Sequence, residues 1–352
     1  MSGRLTKSSR RRFLQSTAAA AAATPLLLHA DDKADARNKR VGEGEHTYEC
    51  HHGWGKLPKS VEWGATHGVC IDREGLIYIK HQHGGNQPMD AIVVFDPSGK
   101  AVRSFGKAYH GGGHGIDIRS EGGQEFLYLS DVKNRQVIKT DLVGEVVWKK
   151  AFPQEPGVYK NASGYRPTNV AFAPDGGFYI GDGYGSHYIH QYDHQAQWVR
   201  TWGGAGTEPG KMRTPHGMWF DDRPGRAPAL AVADRANARL QYFSPTGEHL
   251  GFVNGLLFPA DIDIQGDVML VADLHARLTL LDRQNQVITH LGDDPKWRAA
   301  ALADGLKMRR QRERWVDGKF IHPHDACFDQ AGNIYVTEWV EGGRVTFLKK
   351  VG

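Results

Sequence analysis

Residues 214–218 read TPHGM, and residues 231–243 read AVADRANARLQYF. An apolar segment that opens with Pro-His-Gly is followed by a turn, by a second apolar segment ending in Asp234, and by two more segments that run to residue 253. This order is typical of a four-stranded antiparallel unit. Because the unit recurs along the chain, the sequence indicates a repeat architecture.

Two columns of residues appear when the repeats are aligned. Near the start of each first strand stand His67, His114, Thr168, His216, Ala260 and His324. At the end of each second strand stand His81, Asp131, Asp182, Asp234, Asp273 and Glu338. The units follow one another at intervals of 44 to 64 residues, within or somewhat above the spacing of propeller blades. We therefore predict an all-β fold, a six-bladed β-propeller.

The predicted propeller occupies residues 46–352. Its blades are expected at residues 66–106, 113–151, 166–203, 214–254, 258–292 and 322–351. The last blade has room for only three strands, so we expect an N-terminal strand from residue 46 to supply the fourth and close the ring. Residues 295–315 interrupt the repeats with a sequence rich in Ala, Leu and Arg, which favours a helical insertion between blades five and six. The insertion is either a solvated basic helix or a lid.

The first 30 residues have the pattern of a twin-arginine signal peptide. Three arginines at residues 10–12 precede an apolar run at residues 18–28, which is too short for a membrane span. We expect export to the periplasm or secretion, and no membrane span. Residues 31–45 are polar and charged, and we expect them to form a flexible linker.

Charge and cysteine content exclude some classes of protein. Five of the 44 lysine and arginine residues lie within residues 1–30, which leaves 39 against 40 acidic residues in the whole chain. This balance argues against a nucleic-acid-binding protein. Cys50, Cys70 and Cys327 are odd in number and lack Cys-x-x-Cys spacing, so we interpret them as small buried side chains.

The two columns are expected to meet at one mouth of the central channel, because in an up-and-down blade the first strand begins on the face where the second strand ends. His114, His216 and His324 stand on alternate blades, so three imidazoles would surround the axis. Three histidines and an open position are typical of catalytic Zn²⁺, and imidazole also suits other transition metals. Candidates for contacts around the ion, or for alternative ligands, are His67, His81, His322 and Asp325.

Two further residues of this mouth are candidates for catalysis. Tyr184 follows Asp182 in a Gly-rich turn, where it is either a packing residue or a general base near the metal. Arg235 follows Asp234 without a counterpart in the other repeats, and is a candidate anchor for a substrate carboxylate. The acids of the second column are interpreted as structural, because strand-end Asp accepts backbone N–H groups.

The repeats resemble the NHL family of six-bladed propellers, and within it the peptidyl-α-hydroxyglycine α-amidating lyases. The matching segments are GHGID (113–117), DGY (182–184), PHG (215–217), ADRANARLQ (233–241) and PHD (323–325). The resemblance implies that His114, His216 and His324 bind Zn²⁺ and that Tyr184 is the base. It also implies cleavage of the N–Cα bond of a C-terminal α-hydroxyglycine, which gives a peptide amide and glyoxylate.

The chain departs from this family in the predicted substrate shell. His81 stands where the family has a functional arginine, and His322 stands where it has a methionine. Paired cysteines near the tyrosine are absent, with Gly185 in one of their places. We therefore expect a zinc-dependent carbon–nitrogen lyase with an altered substrate shell.

Two other functions remain open, a non-catalytic NHL propeller that binds protein or glycan and a lactonase-like hydrolase. We expect a monomer that takes a small-molecule or peptide substrate in its axial mouth and binds no nucleic acid. A structural Ca²⁺ is a further candidate cofactor.

Overall fold

A computed structural model describes residues 39–352, and these residues form 25 strands in six antiparallel sheets. Two strands precede the first blade, β1 (Lys39–Val41) and β2 (Tyr48–His52). Blade one contains β3 (Ala65–Ile71), β4 (Ile77–Gln82), β5 (Ile92–Phe95) and β6 (Ala101–Phe105). Blade two contains β7 (Gly113–Glu121), β8 (Gln124–Asp131), β9 (Gln136–Thr140) and β10 (Val146–Lys150). Blade three contains β11 (Asn169–Phe172), β12 (Phe178–Gly181), β13 (Tyr188–Tyr192) and β14 (Trp198–Gly203).

The second half of the described chain repeats this order. Blade four contains β15 (Pro215–Asp221), β16 (Ala229–Asp234), β17 (Arg239–Phe243) and β18 (His249–Val253). Blade five contains β19 (Pro259–Gln265), β20 (Val268–Asp273), β21 (Arg277–Leu281) and β22 (Val287–Leu291). Blade six contains β23 (Pro323–Phe328), β24 (Ile334–Glu338) and β25 (Arg344–Lys350). The first strand of each blade contacts the first strands of its two neighbours, which confirms the predicted six-bladed propeller.

The second strands show why these sequences form blades. Every residue of β16 and every residue of β24 is buried, since each strand lies between two neighbours in its sheet and between adjacent blades. Continuous apolar segments such as Ala229–Asp234 suit this position, because both faces of the strand are covered. The hydrophobic clusters accordingly lie between neighbouring blades rather than within one sheet.

The ring closes as predicted from the length of the last repeat. β2 pairs with β25 in antiparallel register, with Cys50 opposite Leu348, so blade six contains strands from both ends of the described chain. β1 adds a fifth strand at the outer edge of this sheet, and Val41 is buried in the adjoining core. The prediction of a flexible linker at residues 31–45 is therefore wrong for residues 39–41, which form a strand. Their pairing with β2 satisfies backbone groups at an otherwise open strand edge. The predicted signal at residues 1–30 lies outside the described residues.

The predicted insertion between blades five and six is helical. It contains α1 (Pro295–Leu306), which Asp294 caps by accepting from two backbone N–H groups, and single 3-10 turns at Lys307–Arg310 and Arg312–Arg314. The backbone leaves the helical conformation at residues 303–305, and Leu306 has a positive φ of 64°. The insertion is anchored because Ala301 and Met308 pack in a buried apolar cluster with blade six.

Cys50, Cys70 and Cys327 are buried free thiols, as interpreted from the sequence. Within residues 39–352, no helix has the length and apolar character needed to cross a membrane.

Candidate active site

The predicted histidine trio lies together at one mouth of the channel. His114, His216 and His324 stand on the inner strands β7, β15 and β23, and each is at most 2% exposed. The distances between their ring centroids are 4.5, 4.9 and 4.7 Å, so the rings form a nearly equilateral triangle. Each ring offers one nitrogen, and these three atoms lie within 4.8 Å of one another.

Each of the three histidines lies in a break of strand register. The pairing of β7 with β8 shifts between Gly113 and Ile116, and β15 and β23 shift at the corresponding places. A bulge re-aims a side chain, and bulges are common beside active sites. Here the bulge directs the imidazole into the channel rather than against the neighbouring blade.

The glycine after the histidine allows the next blade to approach. A Cβ atom on Gly115 would lie 2.6 Å from the carbonyl oxygen of Thr168, and one on Gly217 would lie 2.5 Å from that of Ala260. These same carbonyl groups contact the histidine rings. The His-Gly pairs of blades two and four are therefore required by the packing of neighbouring blades.

All three histidines use Nδ1 in the same way. Nδ1 lies 2.5 Å from the Thr168 carbonyl oxygen in His114, 2.7 Å from that of Ala260 in His216, and 2.7 Å from that of His67 in His324. A carbonyl oxygen only accepts, so Nδ1 carries the proton and Nε2 presents its lone pair. The three acceptors occupy the equivalent position of the next blade, and they fix all three rings in one tautomer.

This arrangement fits a bound metal ion. Nε2 of His114 and Nε2 of His216 are 3.1 Å apart, although neither can donate in this tautomer. Nε2 of His324 has no hydrogen-bond partner among the described residues. Burial lowers the pKa of all three imidazoles well below the usual range, which disfavours a bridging proton. Three converging neutral Nε2 atoms are the donor set that zinc and related ions take.

Tyr184 and Arg235 join the histidines at this mouth. The phenol oxygen of Tyr184 is 3.0 Å from Nε2 of His216 and accepts a hydrogen bond of 3.0 Å from Nη1 of Arg235. The guanidinium lies between the rings of Tyr184 and Phe258, at 5.1 and 5.0 Å from their centroids. Tyr184 is 37% exposed, so its hydroxyl stands where a ligand can enter.

The turn that presents Tyr184 is held by Asp182. Its carboxylate accepts from the backbone N–H groups of Arg166 and Ser186, both at 2.6 Å, and from the hydroxyl of Tyr159 at 2.9 Å. A Cβ atom on Gly183 would collide with the carbonyl oxygen of Pro215. The glycine is thus needed for the close approach that brings Tyr184 beside His216.

The other strand-end acids are structural, as the sequence indicated. Asp234 accepts from the backbone N–H of Arg213 and pairs with Arg239 at 2.8 Å. Asp273 and Glu338 accept from the loops that lead into the first strands of their own blades. These contacts hold each loop so that the following first strand begins at the mouth.

The cavity above the histidines has a volume of about 360 Å³. Each blade contributes one wall residue that follows its aligned residue at the end of the second strand, directly in five blades and two positions later in blade three. These residues are Gln82, Val132, Tyr184, Arg235, Leu274 and Trp339. Leu302 and Leu306 of the insertion also line the cavity, which favours a lid over a solvated basic helix. Gln82, Val132, Leu274 and Trp339 were not predicted, although each directly follows one of the aligned residues at the ends of the second strands.

Two of the four candidates for contacts around the ion line this cavity. His67 has its ring centroid 4.5 Å from that of His324, and its Nδ1 is bonded to the carbonyl oxygen of Ala65. His322 is 2% exposed and bonds Nδ1 to the Leu274 carbonyl oxygen at 2.7 Å. Burial lowers the pKa of both imidazoles to about 4, so both are neutral.

The other two candidates do not line the cavity. His81 has both nitrogens occupied, one by the N–H of Gly64 at 3.0 Å and one by the carbonyl oxygen of Asp90 at 2.8 Å. Its hydrogen bonds therefore turn it into blade one. Asp325 accepts from the N–H of Val69 at 2.8 Å and lines a second cavity of the channel instead. Both predictions are wrong in placement.

Comparison with known proteins supports the resemblance to the amidating lyases. No family model matches the chain. Peptidyl-glycine alpha-amidating monooxygenase A of Xenopus laevis is 32% identical over 176 residues, which cover 48% of this chain and 18% of the relative. Peptidyl-alpha-hydroxyglycine alpha-amidating lyase 1 of Drosophila melanogaster is 24% identical over an alignment of 375 positions, covering 93% of this chain and 65% of the relative. The chain thus matches less than two thirds of the length of either relative, and its resemblance to the amidating lyases is confirmed at modest identity.

A solved structure supports the fold. A gluconolactonase from Xanthomonas campestris superposes with a TM-score of 0.59 at 12% identity, and the match covers 89% of this chain and 94% of that one. At this identity the likeness concerns the fold alone.

Proposed function

We propose that the chain is a metal-dependent carbon–nitrogen lyase that splits N-acyl-α-hydroxyglycine into an amide and glyoxylate. The observation that carries the proposal is the hydrogen-bonded series from Arg235 through Tyr184 to His216 within the histidine trio. The similarity of the chain to a relative named an amidating lyase supports the same reaction.

Nε2 of His114, His216 and His324 would hold the ion, and we propose Zn²⁺ because three imidazoles and an open position suit it. When bound, the ion supplies Lewis acidity to a substrate oxygen. The chain contributes the fixed tautomers, since the three Nδ1–H groups donate to backbone carbonyl groups and keep Nε2 available.

Tyr184, in its phenolate form, is proposed to take the proton of the substrate hydroxyl. As the O–H bond breaks, the C=O bond of glyoxylate forms and the N–Cα bond breaks, with its electron pair passing to nitrogen. The proton taken by Tyr184 is returned to that nitrogen, so the amide is released and the enzyme is restored. No oxidant, reductant or water is consumed.

Arg235 is proposed to bind the substrate and to hold the base. Its Nη1 donates to the phenol oxygen and its guanidinium is fixed between two aromatic rings, so it offers charge at a defined position. A carboxylate that enters the cavity would meet this charge. Leu302 and Leu306 of the insertion also line the cavity, and their exclusion of water would strengthen these electrostatic contacts.

We also propose that the protein acts outside the cytoplasm, in the periplasm or after secretion, and that it acts as a monomer. The twin-arginine pattern at residues 10–12 supports export. The proposed peptide substrate enters through the axial mouth beside Tyr184.

The test is release of glyoxylate from N-benzoyl-α-hydroxyglycine by the zinc-loaded protein. The expected result is stoichiometric glyoxylate and benzamide, formed by the wild type and lost with the metal. Absence of both products from zinc-loaded, folded protein would contradict the proposal and favour a binding propeller. Hydrolysis of a lactone in place of this reaction would favour a lactonase-like hydrolase.

A further inference from the structure

One buried nitrogen in the cavity wall is used neither by the fold nor by the proposed metal site. Nδ1 of His322 is bonded to the carbonyl oxygen of Leu274, so Nε2 is a hydrogen-bond acceptor. Nε2 is buried and has no hydrogen-bond partner among residues 39–352. A buried acceptor without a hydrogen bond costs free energy of folding, so native proteins usually supply a partner, which can be a bound ligand.

His322 is not placed to bind the same ion. The cluster of potential ligand atoms within 4.8 Å of one another contains His114, His216 and His324, and His322 does not belong to it among the described residues. It precedes β23 by one residue, so it stands outward of His324 on the way to the mouth. Its imidazole lines the cavity beside Leu274 and Trp339.

The position of His322 in the ring is opposite to that of Tyr184. His322 belongs to blade six and Tyr184 to blade three, and these blades are three steps apart in either direction around a six-bladed ring. The hydroxyl of Tyr184 therefore faces His322 across the cavity, and Arg235 of blade four donates to that hydroxyl. Apolar side chains occupy much of the wall between them, including Val132, Phe258 and Leu302.

A ligand of this cavity thus meets the hydroxyl of Tyr184 and the guanidinium of Arg235 on one side, and the unpaired acceptor Nε2 of His322 on the other. In the proposed substrate, hydroxyl and carboxylate groups engage the side of Tyr184, Arg235 and the ion. The remaining polar group on the α-carbon is the amide N–H, which is a donor. It lies on a different substituent of the same carbon and can point to the other wall.

We propose that His322 is a specificity-determining residue whose Nε2 accepts a hydrogen bond from the N–H of the scissile amide. The inference rests on the proposed function. An acceptor desolvated in an apolar wall rejects a ligand that has an oxygen in place of N–H, because two acceptors would then face each other. The site would thereby select N-acyl-α-hydroxyglycines over the corresponding esters.

The test compares two unreactive ligands that differ only at this group, N-benzoylglycine and O-benzoylglycolate. Their dissociation constants are measured by calorimetry on zinc-loaded, full-length protein. We expect the wild type to bind the amide roughly 10- to 100-fold more tightly than the ester. In His322→Met, which retains bulk but has only a weak acceptor, the ratio should fall to about 3-fold or less. His322→Gln, which retains an acceptor, should restore part of the discrimination.

His275→Met is the matched control, because His275 also lines the cavity but stacks on Phe258. It should retain the wild-type ratio, and zinc content and thermal midpoint are measured for every variant. An equal ratio in wild type and His322→Met would overturn the role of His322 alone. If neither ligand binds the zinc-loaded wild type, both this role and the proposed substrate class are overturned. Amide binding without glyoxylate release from the hydroxylated analogue would contradict the reaction and leave the role of His322 supported.

Discussion

The two halves of the central channel are built from the same inner strands and carry opposite chemistry. At the mouth, His114, His216 and His324 present neutral imidazoles. Further along the same strands, a second cavity of about 320 Å³ is lined by carboxylates, including Asp117, Asp261, Asp263 and Asp325. On β23 the change occurs between His324 and the next residue. One strand can therefore serve two sites because a bulge and the alternation of side chains separate them.

Burial acts on the two groups in opposite directions. It lowers the pKa of the histidines, because it penalises the imidazolium form. Burial raises the pKa of Asp117 and of Asp263 to about 7. For Asp261 and Asp325, burial followed by repulsion from neighbouring carboxylates raises the pKa well above the usual range. The mouth thus presents neutral nitrogen ligands, whereas the other half is lined by carboxyl groups whose raised pKa favours the protonated form.

The largest expected effect concerns the base at the mouth. Tyr184→Phe removes the hydroxyl that lies 3.0 Å from Nε2 of His216 and keeps the ring that stacks on Arg235. We expect kcat for glyoxylate release to fall by roughly 10²- to 10⁴-fold. Zinc content should be unchanged, as measured by elemental analysis. A variant with wild-type kcat would show that Tyr184 is not the base.

A smaller effect is expected at the anchor. Arg235→Lys keeps a positive charge but loses the planar guanidinium that donates to Tyr184 and stacks on Phe258. We expect kcat/KM to fall by about 10- to 100-fold, since bidentate recognition of a carboxylate is lost. Arg239→Lys is the matched control, because Arg239 pairs with Asp234 within the fold. If both lysine variants lose activity equally, the effect is structural and Arg235 is no anchor.

The pH dependence of stability should separate the two halves. A raised carboxyl pKa contributes stability that is complete below the unfolded value near 4 and is lost as the pH rises towards 7. A lowered imidazole pKa contributes stability that is complete above the unfolded value near 6.5 and is lost as the pH falls. The two slopes therefore oppose each other between about pH 4 and pH 7.

Asp263→Asn tests the carboxylate half of this account. In metal-free protein, we subtract the free energy of unfolding of the wild type from that of the variant. This difference should be about 2 kcal/mol greater at pH 7.5 than at pH 4.5. Urea unfolding at several pH values measures this difference. A difference that is independent of pH would contradict the assigned protonation. Added Ca²⁺ should stabilise the wild type more than the variant if the carboxylate half binds that ion.

The smallest effect is expected at the insertion. Leu302→Ala shortens one of the two leucines that cover the cavity while leaving the buried anchor Ala301 in place. We expect kcat/KM to fall by only about 3- to 10-fold, because the hydrophobic contact with substrate is weakened but the polar groups remain. A matched Ala303→Ser variant, at an exposed position next to it, should be neutral. Equal effects of the two substitutions would contradict a covering role for Leu302.

Much of the fold and the centre of the site could be predicted from the repeats. The recurrence of similar first-strand starts, and of an acid at the end of most second strands, located the blades, and the same alignment identified His114, His216 and His324. Ring closure followed from the three strands left for the last blade. These features depend on periodicity, which a single sequence carries.

Features that depend on local geometry were not predicted. The strand at Lys39–Val41 has only three residues and no alternation, and it forms because β2 offers an edge. His81 is one of the aligned residues at the ends of the second strands. Its ring nitrogens are hydrogen-bonded to the N–H of Gly64 and the carbonyl oxygen of Asp90, so it does not line the cavity. Nε2 of His322 lacks a hydrogen-bond partner among the described residues. This depends on contacts with residues distant in sequence, such as Leu274, which a single sequence does not show.

The three-histidine metal site is tested most directly by the metal content of protein purified without a chelator or a His tag. Wild type, His216→Ala and His81→Ala are compared by elemental analysis, with a thermal midpoint for each. We expect about one zinc ion per chain in wild type and in His81→Ala, and loss of the ion in folded His216→Ala. A wild type without transition metal, or a folded His216→Ala variant that keeps its zinc, would contradict the three-histidine site.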